Sequence, residues 1–161
     1  MKILANDGIS QSGIDDLTAA GFEVLTTTVA QEQLETFINS ENIVALLVRS
    51  ATTVRQDLID ACPNLKIIGR GGVGMDNIDV EYARGKGLSV INTPAASSES
   101  VAELVFAHLF SGVRFLYDSN RAMPLDGDSK FKALKKAYAK GTELRGKTLG
   151  VIGFGRIGQA T

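Results

Sequence analysis

The chain has 161 residues, 44% of them apolar, with 17 basic and 18 acidic side chains and a formal net charge of -1. That apolar fraction is ordinary for a core-forming protein and excludes a disordered one. Acids and bases are interspersed, so the electrostatic footprint of a nucleic-acid or anionic-membrane binder is missing; neither is an expected partner.

The length admits one domain, or one small domain and part of another. A single cysteine, Cys62, excludes an internal disulfide framework and fits a reducing cytosol. The stretch Met1 to Asp7 reaches a charge too early for a signal peptide, and no apolar run approaches the roughly 20 residues of a membrane helix. The expected setting is cytoplasmic.

Ile3-Leu4-Ala5 reads as a first strand, followed by a helical pattern from Ile14 to Ala20 that Gly21 stops. Phe22 to Leu25 is the second strand. Leu34, Phe37 and Ile38 fall at i, i+3 and i+4 and mark one helix face. The run Ile43 to Val48 is apolar and rich in branched side chains, as a strand covered on both faces requires. A helix containing Leu58 to Ala61 is closed by Pro63. Strands at Lys66 to Gly69 and Leu88 to Ile91 make five, with a short helix from Val80 to Lys86 between them. The alternation predicts a parallel, doubly wound sheet.

After Asn92-Thr93-Pro94 the rhythm changes. A long helix is predicted from about Ser97 to Asp118, with Val101, Leu104, Val105, Leu109 and Leu116 near one side. Ser100 and Glu103 have capping-box spacing and mark its start. Met123 to Lys130, with Pro124, Gly127 and two aspartates, reads as a loop, and residues 130–140 as a second, solvated helix. A strand from Thr148 to Ile152 then leads into a glycine loop. The fold class expected is α/β: a flavodoxin-like parallel-sheet domain over residues 1–96, then the start of a Rossmann dinucleotide-binding domain over residues 97–161.

Four segments carry chemistry. In Gly153-Phe154-Gly155-Arg156-Ile157-Gly158, one glycine makes a tight turn, one admits a pyrophosphate and one allows close helix–strand contact. A helix beginning at about Arg156 would aim its N-terminal amides at that pyrophosphate. The second segment, Gly69 to Asp79, follows a strand, and its glycines around Val73 leave backbone amides uncovered. It reads equally as an anion-binding turn or as a turn whose Asp76 and Asn77 satisfy local backbone. In the third, Val48-Arg49-Ser50-Ala51-Thr52, Arg49 alone is a solvated strand-end arginine. Arg49 and Arg70 on one edge of a parallel sheet together suggest a small anionic substrate. In the fourth, Asn92 to Glu103, serines crowd a helix start, either as caps or as a hinge and cleft wall. His108, mid-helix among apolar residues, reads as a packing or locally bonded residue, and Cys62 as a buried helix-end residue.

The combination VRSAT, GRGGVGMDNID, the segment from NTP to VAEL, and GTELRGKTLGVIGFGRIG resembles the D-isomer-specific 2-hydroxyacid dehydrogenase family, over the whole chain and in order. VRSAT and GRGGVGMDNID point more narrowly to the branch that acts on 3-phospho-D-glycerate. The resemblance implies a two-domain enzyme with its active site in the interdomain cleft. It implies NAD-dependent oxidation of 3-phospho-D-glycerate to 3-phosphohydroxypyruvate, opening serine biosynthesis. Carried over, Val73 and Gly74 would offer amides to the substrate carboxylate, and Arg49, Arg70 and Ser97 would face its phosphate end. Gly153, Gly155, Arg156, Ile157 and Gly158 would form the NAD loop, and Val73 would approach the nicotinamide. The family's catalytic arginine, histidine and carboxylate fall past Thr161 in motif order, so residues 1–161 alone are expected to be inactive. No metal is expected. The resemblance also implies a homodimer formed through the NAD-binding domain. Alternatives are a relative acting on glyoxylate or hydroxypyruvate, and a non-catalytic NAD-gated binding module on the same scaffold.

Overall fold

Five parallel strands in the order β2-β1-β3-β4-β5 form the only sheet of this structure, a computed structural model that describes every residue from Met1 to Thr161. The strands are β1 (Lys2–Ala5), β2 (Glu23–Leu25), β3 (Ile43–Val48), β4 (Ile67–Arg70) and β5 (Ser89–Asn92). Helices α1 (Gln11–Ala19), α2 (Gln31–Ser40), α3 (Gln56–Ala61) and α4 (Val80–Gly85) make the crossovers. The order 2-1-3-4-5 is flavodoxin-like, as the alternation of patterns predicts.

Local chemistry explains the elements. Ser10 caps α1, its hydroxyl accepting from the Gly13 amide at 3.3 Å. Gly21, at φ 87°, turns the chain into β2, a conformation that favours glycine. The apolar run of β3 lies centrally between β1 and β4. Ile43, Leu46 and Val48 from this strand join Leu4, Leu34, Ile38 and Ile68 in the core. Cys62 ends α3 and is buried, and burial pushes its thiol up to about 11, with Glu35 adding to the effect.

Residues Met1–Ala96 form one compact unit and Ser97–Thr161 another. The second contains α5 (Ser98–Val113), α6 (Leu116–Tyr138) and α7 (Arg156–Ala160). Here the structure corrects several expectations. Met123 to Lys130 is helical, with Pro124 inside α6, and only Lys130 departs from helical geometry, marking a kink. No residue of α6 is buried, so the carbonyl four residues before Pro124 stays within reach of water, and an Asp126–Lys130 pair at 2.9 Å braces the segment. Ser97 rather than Ser100 is the cap position of α5, and no side chain caps it, so the capping box does not form. His108 is exposed on α5 rather than packed. Thr148 to Ile152 forms no strand and makes no ladder with any strand of the chain; without a neighbouring strand to pair its amides the segment stays irregular. No helix is long and apolar enough to cross a membrane.

Candidate functional site

The carboxyl ends of β1, β3, β4 and β5 open onto a cleft of about 750 Å³. It lies where a doubly wound sheet changes direction, between strands whose crossovers leave to opposite sides, and that is where such sheets bind ligands. The segment Asp7 to Ser10, the two arginines Arg49 and Arg70, and Thr93 contribute polar lining.

Register brings the arginines together. Val48 pairs with Arg70 across β3 and β4, so Arg49 is one residue past a position level with Arg70. Arg49 is exposed and Arg70 half-buried. The Arg70 Nε is buried without a hydrogen-bond partner, a donor in search of an acceptor at the cleft.

The turn after β4 is folded by its own backbone. Gly71 donates to the Val48 carbonyl at 2.8 Å and Gly72 to the Arg70 carbonyl at 3.0 Å. Gly72 sits at φ 153°, and a Cβ there would collide with the Arg70 guanidinium. Asn92 holds the turn from β5, its Nδ2 donating to the Val73 carbonyl at 2.7 Å. Val73 and Gly74 are exposed, and neither amide N–H has a partner within the chain. Two adjacent free amides are able to donate to a carboxylate.

The residues missed by sequence reading lie beneath the Arg49 segment. The Asp7 carboxylate accepts from the amides of Arg49, at 2.6 Å, and Thr52, at 3.1 Å, and from the Thr52 hydroxyl. Burial acts to raise its pKa; the bonds from Thr52, Arg49 and Ala51 outweigh it and hold the carboxyl below its ordinary value. Asn77 grips the same segment from the other side, donating to the carbonyls of Arg49 at 2.8 Å and Thr52 at 2.7 Å. Asn6 donates to the Thr52 hydroxyl at 2.8 Å and exchanges two bonds with the Val29 backbone. The signal was legible as Asn-Asp at the end of a buried strand, but their partners lie more than 20 residues away. Asn77 therefore serves distant backbone rather than only its own turn, while Asp76 accepts at its carbonyl from Arg55 at 3.0 Å.

In the second unit, Gly153 is at φ 95°, and Gly155 precedes α7. A Cβ on Gly158 would collide with the Gly153 carbonyl, so this glycine allows the loop to fold back on its helix. Arg156 and Ile157 are exposed at the start of α7. Ser97 is half-buried and makes no side-chain hydrogen bond. No group of histidine, cysteine, aspartate or glutamate side chains is arranged to hold a metal ion.

A profile of the D-isomer specific 2-hydroxyacid dehydrogenase catalytic domain matches residues 3–149. The chain belongs to the D-isomer specific 2-hydroxyacid dehydrogenase family. The chain is 42% identical over 159 residues to D-3-phosphoglycerate dehydrogenase of Methanocaldococcus jannaschii, covering 99% of the chain and 29% of that protein. It is 45% identical over 137 residues to hydroxypyruvate reductase of Thermotoga maritima, covering 85% of the chain and 42% of that protein. Among solved structures, an acyclic imino acid reductase in complex with NADPH and D-Arg superposes with a TM-score of 0.78 at 28% identity. That match covers 99% of the chain and 51% of the reductase. The chain thus spans about three tenths to half of the length of these relatives.

Proposed function

We propose that residues 1–96 are the substrate-binding domain, and residues 97–161 the beginning of the NAD-binding domain, of a cytoplasmic enzyme that oxidises 3-phospho-D-glycerate to 3-phosphohydroxypyruvate with NAD. The observation that carries this reading is the pair Arg49 and Arg70, brought by the β3–β4 register to one cleft where the Arg70 Nε has no partner. A dianionic phosphate rewards two guanidinium groups, whereas an acid with one carboxylate, already served by the Val73 and Gly74 amides, gains little from both. The relative from Methanocaldococcus jannaschii supports the same substrate.

In this reading the chain's residues bind and orient. Val73 and Gly74 hold the carboxylate, Arg49, Arg70 and Ser97 the phosphate end, and Val73 also flanks the nicotinamide with an apolar surface. The glycine loop fits a dinucleotide: the close approach of Gly158 to the Gly153 carbonyl leaves no room for a side chain, and nothing lies where a Cβ on Gly155 would point. Gly153, Gly155, Arg156, Ile157 and Gly158 would hold the pyrophosphate there. NAD, when bound, supplies the hydride acceptor. The exposed Leu104, Val105 and Phe110 of α5 and Leu116 and Tyr117 of α6 are consistent with a homodimer through the second unit.

The test compares binding of 3-phospho-D-glycerate and D-glycerate, with and without Arg49→Ala. The variant weakens binding of the phosphorylated acid alone. Equal losses on both acids sink the phosphate assignment. The 45% identity to a hydroxypyruvate reductase favours a second reading, reduction of an unphosphorylated 2-oxo acid. Under it, D-glycerate binds as well as its phosphorylated form.

A further inference from the structure

Arg49 has both of its backbone polar groups held by side chains from elsewhere in the fold. Its amide donates to the Asp7 carboxylate at 2.6 Å, and its carbonyl accepts from Asn77 Nδ2 at 2.8 Å. Thr52, three residues on, is held the same way: amide and hydroxyl to Asp7, carbonyl to Asn77. The segment between them belongs to no helix or strand and so has no ladder to give it shape. Its shape is set by these two side chains.

The Asp7 carboxylate is otherwise out of place. It borders the same cleft as Arg49 and Arg70, where a negative charge repels an anionic ligand. Its oxygens instead face three donors of the Arg49 to Thr52 segment, which absorb the charge into local hydrogen bonds. Asp7 itself is placed by the end of β1, where the amide of the preceding Asn6 donates to the Leu47 carbonyl at 3.0 Å. The carboxylate therefore ties the carboxyl end of β1 to the segment that leaves β3.

We propose that Asp7 is a positioning residue that sets the root of the Arg49 side chain, so that its guanidinium is presented to the anionic end of the substrate. This rests on the reading of Arg49 as a substrate-binding residue. An aspartate at this place acts by orienting the arginine's backbone and makes no contact with substrate. The Arg49 and Thr52 amides share Oδ2 and the Thr52 hydroxyl takes Oδ1. Asparagine keeps an oxygen for the amides but sets an NH2 against the hydroxyl and removes the charge, so the hydroxyl bond must reverse and the amide bonds weaken.

A double-mutant cycle on the full chain tests the assignment, with binding of 3-phospho-D-glycerate followed by amide NMR. Asp7→Asn weakens binding about tenfold in the starting protein and has no further effect when Arg49→Ala is already present. Additive losses overturn the inference, because Asp7 then acts by a route that does not involve Arg49. Thr52→Ser, which keeps the hydroxyl, binds as the starting protein does, and Thr52→Val loses affinity; the reverse order overturns it too. A second readout needs no ligand. The heteronuclear NOE of the Arg49 and Thr52 amides falls in Asp7→Asn while that of β3 does not; unchanged values at both amides overturn the inference, including when no acid binds. Failure of the substrate reading has a different signature: the starting protein prefers D-glycerate, or binds neither acid, whereas the NOE contrast persists.

Discussion

Val48 faces Arg70 in the parallel ladder of β3 and β4, which makes Arg49 and Arg70 neighbours at the cleft although they are 21 positions apart in sequence. Neither side chain is informative alone. Their adjacency depends on register, which sets Val48 level with Arg70 and so lets the next residue, Arg49, leave the strand at the same end of the sheet.

That geometry makes lysine a poor substitute for Arg70. A guanidinium presents a planar fork of donors, while an ammonium is a strongly hydrated point charge. Arg70→Ala is expected to cost roughly 1.5–3 kcal/mol of phosphoglycerate binding, the worth of hydrogen bonds to a charged group. Arg70→Lys recovers less than half of it. Titration calorimetry on both variants checks this, and full recovery by lysine would refute a directional role.

Gly72 gives an independent handle on the same arginine. It is held at φ 153°, and a methyl group there would meet the Arg70 guanidinium. Gly72→Ala therefore combines backbone strain, roughly 1–3 kcal/mol, with displacement of Arg70. The variant unfolds at lower urea concentration and binds phosphoglycerate more weakly. If only stability changes, Arg70 is free to move aside and the turn does not constrain it.

The pH dependence of stability isolates Asp7. Its folded carboxyl lies below the ordinary value of 3.8, because the bonds from Thr52, Arg49 and Ala51 outweigh burial. The unfolded chain thus binds more protons than the folded one in the acid range, and stability rises with pH there. The contribution is complete above pH 3.8 and is lost as pH falls through the lowered folded value. Asp7→Asn should flatten the stability profile on that acid limb, measured by thermal melts between about pH 2.5 and 5. An unchanged slope would mean that the carboxylate is no better bonded in the folded state.

How far the sequence revealed this protein depended on whether the controlling interactions were local. The branched apolar run Ile43 to Val48 could hardly be anything but a buried strand, and five such runs separated by helical patterns sufficed for the sheet. Arg49 and Arg70 were visible because both follow apolar strands. Asp7, Asn6 and Asn77 were passed over as site residues because a polar side chain does not announce a partner 25 to 46 positions away. Pro124 misled in the opposite direction: the breaker signal was real, but an exposed helix flanked by strong formers absorbs it with its freed carbonyl open to solvent. Thr148 to Ile152 has a strand's composition and lacks a strand's partner, and composition alone cannot supply one.

Gly158 allows the cofactor side to be tested in the same manner. A Cβ there would collide with the Gly153 carbonyl and approach the Val151 side chain at 3.2 Å. Gly153 itself is at φ 95° and has little freedom to retreat while remaining in that turn. Gly158→Ala should therefore open the loop and misalign the amides at the start of α7, with no effect on the arginine pair held by the sheet of the first unit. Phosphoglycerate binding is expected to be unchanged, whereas the amide resonances of Gly153 to Gly158 shift markedly. In any form of the protein that binds NAD, the affinity falls at least tenfold. If the loop resonances stay in place, the glycine is not required by packing, and the dinucleotide reading loses its structural support.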